Sequence, residues 1–273
     1  MKVTVLGSGS RGNAILVQAD GVRILVDAGF SGKDLARRMA AVDVEPESIT
    51  AMVITHDHGD HTRGMGIFAR RFGTPIHLTP RTHAACAGLL RGDERVVEYD
   101  SARPFDLGPL RIQPFLTVHD AVDPVAITVT DTSTGSKLGV ATDLGRPTAT
   151  VRHALADSHL LVLEANHENT RLWEGPYPWS VKQRIASSHG HLSNRAAAEL
   201  ARELYHDGLS GVVLAHLSDS CNDPELARET IGVGLEATAF TGRLEVAAQD
   251  DPAEPIDVER LRQIAAPPQL SLF

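Results

Sequence analysis

Cysteines, aromatic residues and basic residues are all scarce in this 273-residue chain. Its 2 cysteines, Cys86 and Cys221, are too few for a disulfide framework and favour a reducing compartment, the cytoplasm. Aromatic residues make up 4% of the chain, and 26 Lys and Arg face 35 Asp and Glu, for a net charge of -9. No overall positive field therefore attracts the protein to DNA or to an anionic membrane, and any nucleic-acid role needs another source of affinity.

Long apolar segments are also missing. No run approaches the ~20 apolar residues that a transmembrane helix requires, and the start, MKVTVLGSGS, lacks the apolar stretch of a secretory signal. With 42% hydrophobic and 22% charged residues, the composition is that of a soluble globular protein and excludes a collagenous, coiled-coil or wholly disordered chain.

Short apolar runs recur in two blocks along the chain. Residues 3–6, 14–17 and 22–26 predict a β-meander, and strand patterns return from residue 110 to residue 140. Amphipathic patterns beside both blocks predict helices. The arrangement predicts an α/β (α+β) protein of four layers, with two packed sheets covered by helices on both outer faces.

Residues 55–61 read THDHGDH and directly follow an apolar strand pattern. Three imidazoles and two carboxylates so close together would repel and desolvate each other in a purely structural role. Neutral imidazoles and carboxylates are also the ligands that first-row divalent metals bind. The segment therefore predicts a metal site, with a His-rich surface turn as the alternative.

Further polar residues each end an apolar strand pattern in the same way. A lone histidine at a strand end is more often a hydrogen-bonded structural residue, so each of them alone is weak. Their order and repeated placement favour one common site. These residues are His119, Asp143, Glu164 and His216.

Together these residues resemble the metallo-β-lactamase fold, an αββα sandwich, in its two-metal hydrolase form. The resemblance implies two divalent ions, with Mn²⁺, Zn²⁺ or Fe²⁺ all compatible with nitrogen and oxygen ligands. Two such ions can activate water, neutralise a phosphodiester and stabilise the leaving oxygen. Asp27 matches the first, supporting aspartate of that fold. The implied ligands are His56, His58 and His119 for one metal, Asp60, His61 and His216 for the other, and Asp143 as the bridge.

Residues 7–12, GSGSRG, also match the G-x-G-x-x-G pattern of dinucleotide-binding sites. The pattern of a dinucleotide site continues into a crossover helix, whereas residues 14–17 here are strand-like and the next turn follows at once. Dinucleotide binding is therefore not expected.

The segments LGSGSRGNA and LEANHE, with the patterns YP…K.RI.S..GHLSN and HLS..CN, resemble the YycJ (WalJ) family, a cytoplasmic group with 5′-to-3′ DNA exonuclease activity linked to mismatch repair. The resemblance implies a catalytic role for Asp60 and a Glu164–His191 pair that protonates the departing oxygen. Two structural alternatives stay open: Glu164 pairs with a neighbouring arginine, and His191 is only a helix-entry residue before a Ser193 cap.

Trp173, Tyr177 and Trp179 lie within seven residues in a Gly- and Pro-containing segment that is expected to be a loop. Aromatic faces stack on bases of any sequence, so we hypothesise that this segment binds a single-stranded end. The alternative is that the aromatics attach a long loop to the core.

After about residue 248 the composition becomes Pro- and acid-rich, which predicts a catalytic domain over residues 1–248 and a tail over residues 249–273, with one short helix at 256–264. The last five residues, QLSLF, resemble the peptide by which bacterial repair proteins bind the β sliding clamp. The resemblance makes Gln269, Leu270, Leu272 and Phe273 candidate clamp-binding residues.

The function that the sequence favours is a binuclear-metal phosphodiesterase that trims DNA from a 5′ end in mismatch repair or replication. Clamp binding would replace a basic surface by raising the local concentration at DNA. Two alternatives remain: an RNA or small cyclic-phosphodiester hydrolase, and a scaffold in which the metals are structural.

Overall fold

Two seven-stranded sheets form the centre of the fold. The computed structural model describes residues 1–265, so the predicted clamp peptide lies outside the described residues. The strands are β1 (Lys2–Gly7), β2 (Ala14–Ala19), β3 (Val22–Val26), β4 (Ala51–Val53), β5 (Ile76–Leu78), β6 (Val96–Glu98), β7 (Phe105–Leu107), β8 (Leu110–Leu116), β9 (Val125–Asp131), β10 (Lys137–Ala141), β11 (Leu160–Glu164), β12 (Gly211–Ala215), β13 (Arg243–Val246) and β14 (Ile256–Asp257).

Helices flank both sheets. Among residues 1–265, none is both long and apolar enough to cross a bilayer. The helices are α1 (Gly32–Ala40), α2 (Gly59–Thr62), α3 (Met65–Phe72), α4 (Pro80–Ala85), α5 (Ala149–Leu155), α6 (Asn169–Glu174), α7 (Trp179–Ile185), α8 (Asn194–Glu203), α9 (Pro224–Glu236) and α10 (Val258–Ala265).

Each sheet is half antiparallel and half parallel. The first has the order β14-β1-β2-β3-β4-β5-β6, and the second has the order β13-β12-β11-β10-β9-β8-β7. The predicted meander is confirmed as the antiparallel pairs β1–β2 and β2–β3, whereas β3 to β6 and β10 to β13 are parallel. Parallel strands end at one common edge, which places the residues that follow them side by side.

Three apolar clusters join the layers. One contains side chains of both sheets, such as Val17 and Val140, and fills the space between them. A second packs α5, α8 and α9 on the second sheet, and a third packs α1 and α3 on the first, through Leu35 and Phe68 among others. The αββα sandwich predicted from the sequence is therefore confirmed.

The structure differs from the sequence-based expectation in two places, the aromatic segment at residues 173–179 and the tail. The aromatic segment is not a loop, because Trp173 lies in α6 and Trp179 begins α7 after Pro178, and only Tyr177 lies between the helices. In the tail, Ile256–Asp257 pairs with β1 before α10 begins, and Val258 is buried in the central core. The domain division at residue 248 stays a prediction.

Candidate metal centre

The polar residues predicted to form a site follow the ends of neighbouring strands in both sheets. Asp27 follows β3, Asp143 lies just beyond β10 and His216 follows β12. All three have positive φ angles of 62°, 60° and 56°, a left-handed conformation that non-glycine residues seldom adopt. Such backbone strain is concentrated at functional sites, where the surrounding structure holds it in place.

Three overlapping groups of possible metal-binding side chains lie at this edge. Within each group, the ligand atoms lie within 4.8 Å of one another. Asp143 belongs to the first and second groups, and His216 belongs to the second and third. The groups are His56, His58, His119 and Asp143; Asp143, Glu164, His191 and His216; and Asp60, His61 and His216. The structure thus brings together the residues that the resemblance implies as ligands, and their assignment to two ions remains a prediction.

Buried polar atoms in these three groups show whether the groups suit a cation. Nε2 of His56 is buried and makes no hydrogen bond within the described part of the chain, and Oδ2 of Asp143 is buried with Nε2 of His61 3.1 Å away. Buried polar atoms normally have partners, since leaving them without one is costly. An imidazole lone pair and a carboxylate oxygen in the same small space fit a divalent cation.

The Nδ1 atoms of three of these histidines are held by other protein groups. Each donates to an oxygen acceptor, which leaves Nε2 to face the centre, as is typical of metal-binding histidines. The pairs are His61 with Oδ2 of Asp27 (2.8 Å), His119 with the carbonyl of Gly190 (3.0 Å) and His216 with Oε1 of Glu164 (2.9 Å).

Glu164 is buried and receives four hydrogen bonds. Oε1 accepts from Nδ1 of His191 at 2.7 Å and from His216, and Oε2 accepts from the backbone N–H groups of Leu144 and Leu192. Burial alone would raise the pKa of Glu164, but the His191 and His216 contacts outweigh it and lower that pKa to about 2. Glu164 is therefore an ionised acceptor that orients two histidines, and no arginine is among its partners within residues 1–265.

Charge balance in the cluster depends on its carboxylates. Burial disfavours charged His216, yet Asp143, Asp60 and Glu164 raise its pKa to about 10. The pKa of His61 is raised well above its usual value by neighbouring carboxylates, again against burial. Protons on these two histidines thus compensate the acidic groups, and a divalent cation would displace them.

A cavity of about 230 Å³ opens over the cluster. His58, Asp60 and His191 line one part of it, and Tyr177 and Arg184 line another. The side chain of His191 is 15% exposed. Because Nδ1 of His191 faces Glu164, its Nε2 is free for a group bound in the cavity.

The two tryptophans lie on exposed surface in α6 and α7, and neither lines this cavity. Trp173 is 43% exposed and Trp179 is 64% exposed, with ring centroids 5.2 Å apart. Nζ of the buried Lys182 donates to the carbonyl of Trp173 at 2.6 Å, which ties α6 to α7. The two rings contact each other at an interplanar angle of 41° and keep part of their surface exposed, and base binding by them stays a prediction.

Two charged residues to which the sequence analysis assigned no role also reach the site. Arg184 lines the cavity and donates from Nε to the carboxylate of Asp120. Asp120 directly follows His119 in sequence, and its Oδ1 lies 3.3 Å from Nε2 of His119. That adjacency to a predicted ligand was the available signal for Asp120, whereas nothing in the pattern around Arg184 indicates which way its side chain points.

Comparisons with known proteins agree with this geometry. Residues 22–216 match the family model described as "Beta-lactamase superfamily domain". The chain is 31% identical to exodeoxyribonuclease YycJ of Bacillus anthracis (87% of this chain, 90% of the relative) and 32% identical to exodeoxyribonuclease WalJ of Streptococcus pneumoniae (88% and 93%). The fold matches the crystal structure of YhfI from Bacillus subtilis, with a TM-score of 0.72, 21% identity and coverage of 93% and 99%. The chain therefore belongs to the metallo-β-lactamase-fold hydrolases, in the family of the YycJ and WalJ exodeoxyribonucleases.

Proposed function

We propose that this metal-dependent phosphodiesterase is a 5′-to-3′ DNA exonuclease with two divalent ions. The observation that carries the proposal is the dense group of His and Asp side chains beside the Glu164–His191 pair in one open cavity. The names of two relatives that align with most of this chain support DNA as the substrate. Nitrogen and oxygen ligands suit Mn²⁺, Zn²⁺ or Fe²⁺.

In this proposal His56, His58 and His119 would hold one ion, Asp60, His61 and His216 would hold the other, and Asp143 would serve both. The ions supply Lewis-acid neutralisation of the phosphate and activation of water. His191 holds a proton at Nε2 for the departing oxygen, and ionised Glu164 stabilises that charged imidazole through Nδ1. After the transfer, His191 is neutral and remains bound to Glu164.

Trp173, Tyr177 and Trp179 are proposed to bind the single strand that enters the cavity. The exposed tryptophan rings offer faces for stacking on bases. Tyr177 lines the cavity, and its hydroxyl lies 3.4 Å from Oγ of Ser218. Stacking is independent of sequence, as a general exonuclease requires.

We also propose that the enzyme acts in mismatch repair or replication in the cytoplasm. It rests on the resemblance of Gln269, Leu270, Leu272 and Phe273 to a clamp-binding peptide. Binding to the β sliding clamp would concentrate an acidic enzyme at DNA. The two buried, unpaired cysteines agree with a reducing compartment.

The test is release of nucleotides from 5′-labelled and 3′-labelled DNA with added Mn²⁺ or Zn²⁺. We expect the wild type to release the 5′ label in a metal-dependent manner and Asp60→Asn to abolish this release. Asp57→Asn is the matched control, since Asp57 lies in the same segment but accepts from the backbone N–H of Val122 and belongs to none of the three groups. A chain lacking residues 269–273 should keep this basal activity and lose any stimulation by sliding clamp.

Other outcomes select the alternatives. Hydrolysis of RNA or of a small cyclic phosphodiester, with DNA left intact under every metal, would contradict the DNA exonuclease. It would favour an RNA or small cyclic-phosphodiester hydrolase. Metal-dependent stability with no hydrolysis of any phosphodiester would favour the scaffold.

A further inference from the structure

Arg184 is the one Lys or Arg among the described residues that line the cavity over the metal centre. It lies near the end of α7, and its side chain is 57% exposed. The hydrogen bond to Asp120 and, to a smaller extent, the charges of Asp60 and Asp143 raise the pKa of its guanidinium. In a chain of net charge -9, this guanidinium places a fixed positive charge beside the candidate reaction centre.

The guanidinium of Arg184 is held in place by one hydrogen bond, and its other donors remain available. Nε donates to the carboxylate of Asp120, whereas Nη1 and Nη2 make no hydrogen bond to another residue in the described range 1–265. Asp120 is itself fixed, because its backbone N–H donates to the carbonyl of His189 at 3.1 Å and its carbonyl lies 3.3 Å from Nε2 of His58. The two free NH₂ groups form the planar donor fork that suits a phosphate.

We propose that Arg184 forms a binding subsite for a backbone phosphate next to the scissile phosphate, with Asp120 as its positioning residue. The inference rests on the proposed function, in which the metal ions neutralise the scissile phosphate. The neighbouring phosphate of the same strand is then an anion that enters the cavity without a metal ion. Arg184 is the cationic side chain available to it there.

A purely structural role is the competing explanation. Arg184 would then only hold the segment around Asp120 against α7, and its loss would disturb the metal centre for every substrate. The two roles differ in their dependence on the substrate. A phosphate subsite affects only substrates that carry a second phosphate, and mainly through KM.

The experiment compares single-stranded DNA with bis(p-nitrophenyl) phosphate, a diester with a single phosphate. For Arg184→Gln, we expect the ratio of kcat/KM on DNA to that on the small diester to fall about 10- to 100-fold, as for the loss of a charge-assisted hydrogen bond. Arg184→Lys should recover part of the loss. Arg195→Gln is the control, because Arg195 is 80% exposed, pairs with Glu199 and lies outside the cavity lining.

Neutral methylphosphonate linkages, moved one position at a time from the 5′ end, locate the contacted phosphate. In the wild type, a neutral linkage at one position next to the cleaved linkage should lower kcat/KM about 10-fold or more. In Arg184→Gln, a neutral linkage at the same position should have little further effect on kcat/KM. The salt dependence of log kcat/KM should also become shallower by about 0.7 in the variant.

Equal losses on DNA and on the small diester, or additive effects of variant and neutral linkage, would overturn the subsite. A wild type that hydrolyses neither substrate with any metal would instead contradict the proposed function itself.

Discussion

Oδ2 of Asp27 lies 2.8 Å from Nδ1 of His61, and both side chains are buried. Oδ1 of the same carboxylate accepts from the backbone N–H of Thr55, so Asp27 is fixed and in turn fixes His61. The relationship directs Nε2 of His61 to the centre. Asp27→Asn should therefore lower metal affinity by about 10- to 100-fold, as loss of such outer partners typically does. Competition with a chromogenic chelator measures the change.

Asp20→Asn is the matched control for that substitution. Asp20 also has a positive φ angle, of 45°, but it lies in the exposed turn between β2 and β3. Asn adopts this backbone region readily, so neither variant should unfold. Equal metal affinity in wild type and Asp27→Asn would contradict the role of Asp27 in orienting His61.

Metal binding should release protons. In the metal-free protein the carboxylates raise the pKa of His216 to about 10, so its imidazole is protonated at neutral pH. A cation must displace that proton, and apparent metal affinity should therefore rise with pH, by about tenfold per pH unit for each proton displaced. Calorimetric titrations in two buffers of different ionisation enthalpy count the protons. Affinity that is constant between pH 6 and pH 9 would exclude this charge balance.

His191→Ala tests proton donation to the leaving oxygen. An alkoxide leaving group needs a proton, whereas p-nitrophenolate departs readily without one. The variant should lose about 10²- to 10⁴-fold in kcat on DNA but far less on bis(p-nitrophenyl) phosphate. The control is His189→Ala, since His189 lies two residues away, is exposed and belongs to none of the three groups. Equal losses on both substrates would assign His191 to the metal centre instead.

The fold and much of the centre were predictable from local pattern. The segment at residues 55–61 concentrates its chemistry within seven positions, and His119, Asp143 and His216 each follow an apolar strand pattern. Parallel strand ends meet at one edge of a sheet, so that placement already indicated proximity.

Features that depend on distant contacts were not predictable in the same way. α6 and α7 have six and seven residues, too short for a clear periodic pattern, and the Pro- and Gly-containing segment was interpreted as a loop. β14 has two residues and exists because it pairs with β1 across the whole chain. The Arg184–Asp120 contact spans 64 positions and depends on the direction of two side chains.

Alanine at both Trp173 and Trp179 tests the aromatic surface. If each ring stacks on a base, affinity for single-stranded DNA should fall by about 1–3 kcal/mol per ring. These are the 2 tryptophans of the chain, so quenching of intrinsic fluorescence reports binding directly in the wild type. Fluorescence anisotropy of labelled DNA compares the variants, with Val233→Ala, an exposed position on α9, as control. Unchanged affinity with a native circular dichroism spectrum would reject base stacking.

His159 should make the protein less stable in mild acid. Its Nδ1 accepts a hydrogen bond from the backbone N–H of Lys137 at 2.9 Å, which requires the neutral ring. Burial and the nearby charge of Arg262 lower the pKa of His159 to about 4, below the ordinary value of 6.5. Between those pH values the unfolded chain binds a proton that the folded chain does not, so the free energy of unfolding decreases as pH falls from about 6.5 to about 4.

His159→Gln keeps an acceptor for Lys137 and does not titrate. Urea unfolding at pH 7.5 and pH 5, with chelator present, should show wild type losing about 1–2 kcal/mol more than the variant on acidification. The metal centre contributes its own pH dependence to both proteins, and the double difference removes it because the two sites are independent. Parallel losses in both proteins would contradict the lowered pKa of His159, because a ring whose Nδ1 accepts from Lys137 cannot carry a proton on that atom.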